Sequence, residues 1–468
     1  MKALTLFALC LILVSCAPQQ SQTVELPEQS TALDHPPTDY DRFNEVKKEI
    51  DHWYNQPPYS IGSQHKMQLM DRLLPLDVPK DEKVEYRRKL DSILLTDDPA
   101  YVAEEQKRRQ AELDAQPQQM IRQCKGSGTV EFTHAPMRIE DIELIQPIGL
   151  MIGGHVTPID HGYYFAKTWT AVEDRAPETF VDVFAPAAGL IEVQTMPEEF
   201  ATSSVGDYRL VLYHTCTFYT IYIHVNQLSE KLQQFVGKDG IAVEAGELLG
   251  KAPGFDFSVH NEEITLPGFV VQKSYDAEPF KLHNVDLFDS FVEPVRTQLL
   301  EKNMRQVEPR GGKIDYDIDS KLVGNWFEEN TNGYFGKPEY NRLTGYWSTH
   351  LAFAYDALDS SLVIVSMGDF DGEAMQFAVK GNAPDPKDID QSTGLVKYEL
   401  VKYDWETEAG PWDRSHFAKI KRAYGLEEVH GVALVQMLED RKIKFESFPG
   451  KKATEVLAFT EKAKMYTR

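Results

Sequence analysis

At 468 residues the chain is long enough for about three domains with real hydrophobic cores, which excludes a mini-protein held only by disulfides or metal. Hydrophobic residues at 42% and charged residues at 26% lie near globular averages, so the bulk of the chain is neither disordered nor a multi-span membrane protein. With 49 Lys and Arg against 73 Asp and Glu, the formal net charge of -24 argues against nucleic acid as a partner and otherwise speaks to solubility.

Chain order begins with Met1 and Lys2 as a minimal basic start, an apolar stretch over 3–14, and Leu13-Val14-Ser15-Cys16. That stretch is shorter than the roughly 18–20 residues of a spanning helix, so residues 1–15 read as a secretory leader that is removed. The four residues ending at Cys16 resemble the lipobox of bacterial lipoproteins. The resemblance implies lipidation of Cys16, with acyl chains such as palmitate tethering the protein to the membrane. Ala17 stands where an inner-membrane retention Asp would sit, so the implied place is the cell envelope. In a Gram-negative cell that means the outer membrane, facing the periplasm or the surface. Cys10 leaves with the leader and Cys16 takes lipid, so Cys124 and Cys216 remain; an oxidising compartment permits a disulfide between them, and the sequence leaves both outcomes open.

Residues 16–40 are rich in Gln, Ser, Thr, Pro and Glu and read as a flexible tether. Over 41–125, the segments 43–53 and 100–113 show helical spacing with mixed charge, and Asp98-Pro99 supplies a cap and first-turn Pro to the second, which predicts a small helical region. From 126 to 310 the pattern turns to short apolar runs broken by Gly, Pro and Asp. Strands are predicted over 129–133, 181–184, 190–193, 208–213 and 218–223, with an amphipathic helix near 292–304. Residues 311–468 follow a Pro309-Arg310-Gly311-Gly312 linker and carry further strands at 351–355, 362–366, 396–401, 432–437 and 442–447. Their spacing predicts a second antiparallel sheet or small barrel, so the fold class is mainly β with a helical N-terminal region.

Three segments of the middle region carry a second resemblance. They are Asp182-Val-Phe-Ala-Pro-Ala-Ala-Gly189-Leu-Ile-Glu-Val193, Tyr219-Thr-Ile-Tyr-Ile-His224-Val-Asn-Gln-Leu228, and Val243-Glu-Ala-Gly246-Glu-Leu-Leu-Gly250. In this order and at these separations they resemble the lysostaphin-like, LytM-type zinc endopeptidases that cut peptidoglycan cross-links. The resemblance implies a β-sheet domain of that type over 126–310. It also implies a site in which two His and one Asp would hold zinc and leave a position for the activated water.

The positions where the family keeps those residues are altered. With Gly162 on the family's glycine, Asp160 falls in the ligand His slot and Tyr164 in the ligand Asp slot. Downstream, Gly254 replaces a catalytic His and Asp256 replaces the third ligand, which leaves His224 as the surviving member of the catalytic set. His155 and His161 offer a displaced ligand set together with Asp160 and His224. The expectation is therefore a site without zinc or other cofactor, and a non-catalytic domain that binds peptidoglycan or an envelope protein. The alternative is an active zinc endopeptidase using the displaced set.

Other motifs are weaker. Asp315-Tyr-Asp-Ile-Asp319 starts like a calcium loop, but Ser320 stands at the required Gly and Trp326 at the bidentate Glu, so a turn-rich linker is expected. Gly324-Asn-Trp326 resembles the Gly-x-Trp first strand of lipocalin-like barrels. It raises a further alternative, small-ligand binding by the C-terminal β region, against the plainer reading of Trp326 as a core aromatic.

Overall fold

The computed structural model describes residues 38–54, 60–61, parts of 66–95, 124–169, 176–196, 203, 205–238, 240–337, 345–413 and 417–468. The leader, Cys16, nearly all of the tether and the helix expected over 100–113 lie outside the described residues. The chain divides into two compact units. One contains 19–116 with 337–345; the other contains 117–336 and 346–468.

In the smaller unit α1 (Asp39–Tyr54) starts where Thr38 Oγ1 accepts from the Asp41 amide at 3.2 Å and Asp41 returns a bond to the Thr38 amide at 2.8 Å. Phe43, Val46 and Ile50 share one face of α1 and are buried with Tyr86 and Leu90 of α2 (Lys80–Ser92). A two-residue parallel pair, β1 (Ser60–Ile61) with β2 (Leu94–Leu95), completes what is described of this unit.

The larger unit contains two β structures. The first uses β3 (Ile142–Gln146), β4 (Gly162–Ala166), β5 (Val181–Phe184), β6 (Gly189–Thr195), β7 (Tyr208–Tyr213), β8 (Phe218–Val225), β9 (Gln227–Leu228), β10 (Ile241–Val243), β11 (Leu248–Ala252), β12 (Gly254–Asn261) and β13 (Asn284–Val285). They form an eight-stranded sheet in the order β10-β6-β7-β8-β12-β4-β3, with β13 beside β12, and a smaller sheet β5-β11-β9. Period-two alternation explains the core. Phe255, Phe257 and Val259 of β12 and Tyr164 of β4 point into the core, while Asp256, Ser258 and His260 point to the opposite face. The strand expected over 129–133 is reduced to a single bridge between Phe132 and Phe291, because Phe132 packs edgewise on Phe291 rather than extending a ladder. Cys124 and Cys216 form a disulfide across 92 residues.

The second β structure runs through β14 (Gly324–Glu328), β15 (His350–Tyr355), β16 (Val363–Phe370), β17 (Glu373–Val379), β18 (Leu395–Thr407), β19 (Gly410–Pro411), β20 (Arg422–Glu439), β21 (Lys442–Pro449) and β22 (Lys464–Thr467). Each main strand pairs with its neighbour in sequence, and β14 pairs with β22, so eight antiparallel strands close into an up-and-down barrel with β19 as an appendage. Trp326, Phe353, Phe377, Tyr398 and Phe445 fill its interior. Trp326 is fully buried, donates to the Leu322 carbonyl at 2.8 Å, and is capped by the Arg468 guanidinium 3.8 Å from its ring. These residues make an apolar core, in which Trp326 is a core aromatic.

Small outward residues of the barrel, Ala352, Ala354 and Ala378, let its wall approach Leu144, Leu150, Ile159 and Tyr163 of the first β structure in one shared apolar cluster. Gln376 fastens that contact. Its side chain accepts from the Gly153 amide at 2.8 Å and donates to the Gly153 carbonyl at 3.1 Å.

Candidate functional site

The outward face of β12 carries Asp256, Ser258 and His260, and that of β4 carries Tyr163 and Phe165, with Asp160 and His161 just before it. Asp256 lies opposite Ile223 of β8 and Tyr163 of β4. Strict alternation would send His224 inward, the same way as Tyr222. A register shift prevents this: Leu210 pairs with Tyr222 but Tyr208 pairs with Val225, so β8 holds one extra residue. His224 adopts φ 70° at that bulge, a left-handed conformation rare for a residue with a Cβ. The bulge aims its ring toward Asp256 and leaves Val225 in the core.

The result is a continuous run of alternating groups. Asp207 Oδ2 lies 2.9 Å from His224 Nδ1, and His224 Nε2 lies 3.7 Å from Asp256 Oδ2. That same carboxylate oxygen is 3.4 Å from His161 Nε2, and His161 Nδ1 is 3.4 Å from Asp160 Oδ1. Asp160 Oδ1 accepts from Lys281 Nζ at 2.7 Å, and Lys281 also meets Glu278 at 3.1 Å. Lys281 sits 4.7 Å from the centre of the Tyr334 ring, and Asn284 donates to the Asp160 carbonyl at 2.6 Å. His155 packs its ring edge-on to His161 at 5.6 Å.

Burial and pairing set the protonation states. Burial opposes ionisation of Asp160, but Lys281 and His161 outweigh it and hold the carboxyl well below its ordinary range. Burial also opposes charge on Lys281, and Asp160 with Glu278 reverses this, so the ammonium is kept charged. His161 is raised because Asp256 and Asp160 outweigh its desolvation. Desolvation raises Asp256, with His161 and His224 offsetting part of the effect. His155 is pushed down to about 3, by burial first and then by the charges of His161 and Lys281.

The residues singled out from sequence thus separate into two groups. Asp160, His161, His224 and Asp256 come together, with His155 beside them. Tyr164 does not join them; its ring is stacked on Phe255 in the core, fully buried on the opposite face. At Gly254 a Cβ would lie 2.8 Å from the Tyr164 carbonyl oxygen and 3.2 Å from Trp169 Cδ1, so Trp169 occupies the room a side chain would need. Among the described residues no group of three or more His, Cys, Asp or Glu is placed to hold a metal ion. Of the slots where the resembling family holds zinc, that of Tyr164 faces the core and the Asp160 carboxylate is bound to the buried Lys281 ammonium, while His161 and His224 both reach Asp256. The calcium-like segment is also committed, since Asp317 accepts from the Asn325 amide and Asp319 pairs with Arg441.

Sequence reasoning missed Asp207 and Lys281. The Glu278…Lys281 spacing of three was the one local signal for Lys281, while Asp207 had none beyond its place before β7.

No family model and no curated protein matches the chain. Among solved structures, a protein of the SpoIIQ–SpoIIIAH pore-forming complex is similar over 36% of this chain and 96% of its own, at 12% identity and a TM-score of 0.23. A zinc-containing peptidase from Vibrio cholerae is similar over 28% of this chain and 37% of its own, at 16% identity and a TM-score of 0.20. Both similarities are too low for anything to be carried over from either protein.

Proposed function

We propose that this chain is a lipid-anchored envelope protein whose LytM-like domain binds peptidoglycan or an envelope protein instead of cutting cell wall. The observation that carries this reading is Lys281. Its ammonium sits 2.7 Å from Asp160, a side chain in a slot where the resembling family has a zinc ligand, and both groups are buried. A covalently supplied cation thereby neutralises the carboxylate that a divalent ion would need. The disulfide between Cys124 and Cys216 supports an oxidising compartment, in keeping with export and lipidation at Cys16.

The test uses soluble chain starting at Ala17. Retention on purified sacculi above a control protein, unchanged by chelator and without muropeptide release, is expected for the glycan form. For the protein-partner form, a photo-crosslinker at Trp169 should trap a discrete envelope protein in cells. Failure of both overturns the binding reading. Release of muropeptides that stops with chelator and with His155→Ala would replace it by the metallopeptidase. Palmitate labelling lost in Cys16→Ala tests the anchor.

A further inference from the structure

The ion pair at the centre of the charged run is also a pair of groups that can react with each other. Asp160 sits just before β4, and Lys281 lies 121 residues away in the short helical turn Pro279–His283. Both ends are pinned: Asn284 donates to the Asp160 carbonyl at 2.6 Å, and the Lys281 amide donates to the Glu278 carbonyl at 3.1 Å. Lys281 Nζ meets Asp160 Oδ1 at 2.7 Å, and the two side chains are 7% and 5% exposed. Glu278 Oε2 stands 3.1 Å from the same nitrogen, with 36% of its side chain open to solvent. The rings of Phe280 and Tyr334 flank the ammonium at 5.7 and 4.7 Å. An amine, a carboxyl and a second carboxylate are thus held together where water is scarce.

We propose that Lys281 and Asp160 condense into an isopeptide bond within the folded chain, with Glu278 as the catalytic acid and base. The first proton moves along the hydrogen bond already present, from Lys281 Nζ to Asp160 Oδ1, and gives a free amine beside a carboxylic acid. The nitrogen lone pair then attacks Cγ of Asp160. Glu278 takes a proton from that nitrogen and returns it to the hydroxyl on Cγ, the Cγ–O bond breaks, and one water leaves. Carboxylate plus ammonium becomes amide plus water, with no change in oxidation state. Fixed proximity lowers the barrier, and the product removes two charges whose burial is costly. Because Lys281 and Asp160 favour their charged forms, the reactive neutral pair is a minor state. The freshly folded chain therefore carries the ion pair and acquires the bond slowly.

The bond would form whatever the cleft binds, and mass alone reports it. Soluble chain starting at Ala17 is held for weeks near neutral pH, and its intact mass is followed with the disulfide reduced. The aged chain should fall short of its sequence mass by one water. Trypsin should then yield one branched peptide that joins residues 139–167 to residues 274–296 through Asp160 and Lys281. Lys281→Arg should keep its full mass. Glu278→Gln, at a position partly open to solvent, should convert about a hundredfold more slowly. An aged chain that keeps its sequence mass, a cross-link that maps to other residues, or Glu278→Gln converting at the unsubstituted rate overturns the proposal. None of these outcomes bears on retention by sacculi or on capture of an envelope protein, so failure here and failure of the binding reading are told apart.

Discussion

The two β structures of the larger unit treat their interiors in opposite ways. The barrel closes on a filled apolar core whose Trp326 is capped by Arg468, which lies 3.8 Å from Asp317. The eight-stranded sheet packs its larger aromatic core against one face and places on the other, beside Tyr163, Tyr213 and Tyr219, a run from Asp207 to Glu278 in which acids alternate with His and Lys. A packed core needs only hydrophobic side chains of suitable size, whereas buried charges persist only where every partner is supplied. Substitutions should therefore behave differently in the two regions.

The largest effect is expected at Lys281. Lys281→Met leaves the buried Asp160 anion with His161 as its remaining partner and should cost about 3–5 kcal/mol in urea unfolding. Adding Asp160→Asn should recover most of that loss, because the pair is costly to break and cheap to replace as a whole. If the double variant is no more stable than Lys281→Met, the two groups are not a coupled pair. In the barrel, Trp326→Ala should cost about 3–5 kcal/mol through cavity formation, with no compensating partner substitution available. A loss well below that range would mean that the barrel wall collapses onto the vacated space.

The contact between the two β structures should be worth less. Gln376→Ala removes two hydrogen bonds to Gly153 and should cost about 1–2 kcal/mol. Limited proteolysis near residues 149–160 should quicken accordingly, and unchanged protection would mean that the apolar cluster alone holds the loop.

Much of the scaffold was legible because alternation is a local signal. The strands around Val183, Ile191, Leu212, Ile221, Phe353, Val365, Leu400, Val435 and Ile443 all follow from period-two runs ended by turn residues. Strand β17 (Glu373–Val379) escaped notice because Glu373 and Gln376 interrupt its apolar run, and β22 because it is short and basic. At the site, Asp160, Asp256 and His224 could be found by register against a resembling family. Lys281 could not, since it lies 121 residues from Asp160 and belongs to no motif. Tyr164 was assigned a slot by spacing, but the pleat sends it inward, a fact that register alone does not reveal. The bulge that turns His224 outward is likewise a property of pairing between β7 and β8, invisible in either strand alone.

The smallest effect, in pH dependence, separates the regions most cleanly. Asp160 is held below its ordinary 3.8, so its contribution to stability is fully present above about pH 4 and is lost as pH falls through the lowered value. His161 is raised above 6.5, so its contribution is present below that pH and is lost as pH rises through the raised value. Unfolding midpoints of the whole chain should therefore weaken on both sides of a mildly acidic plateau. Asp160→Asn should flatten the acid limb, and His161→Gln the alkaline one. Trp326→Phe in the barrel should lower the curve without changing its shape. A parallel downward shift in all three variants would mean that the charged run contributes packing alone, and the distinction between the two β structures would fail.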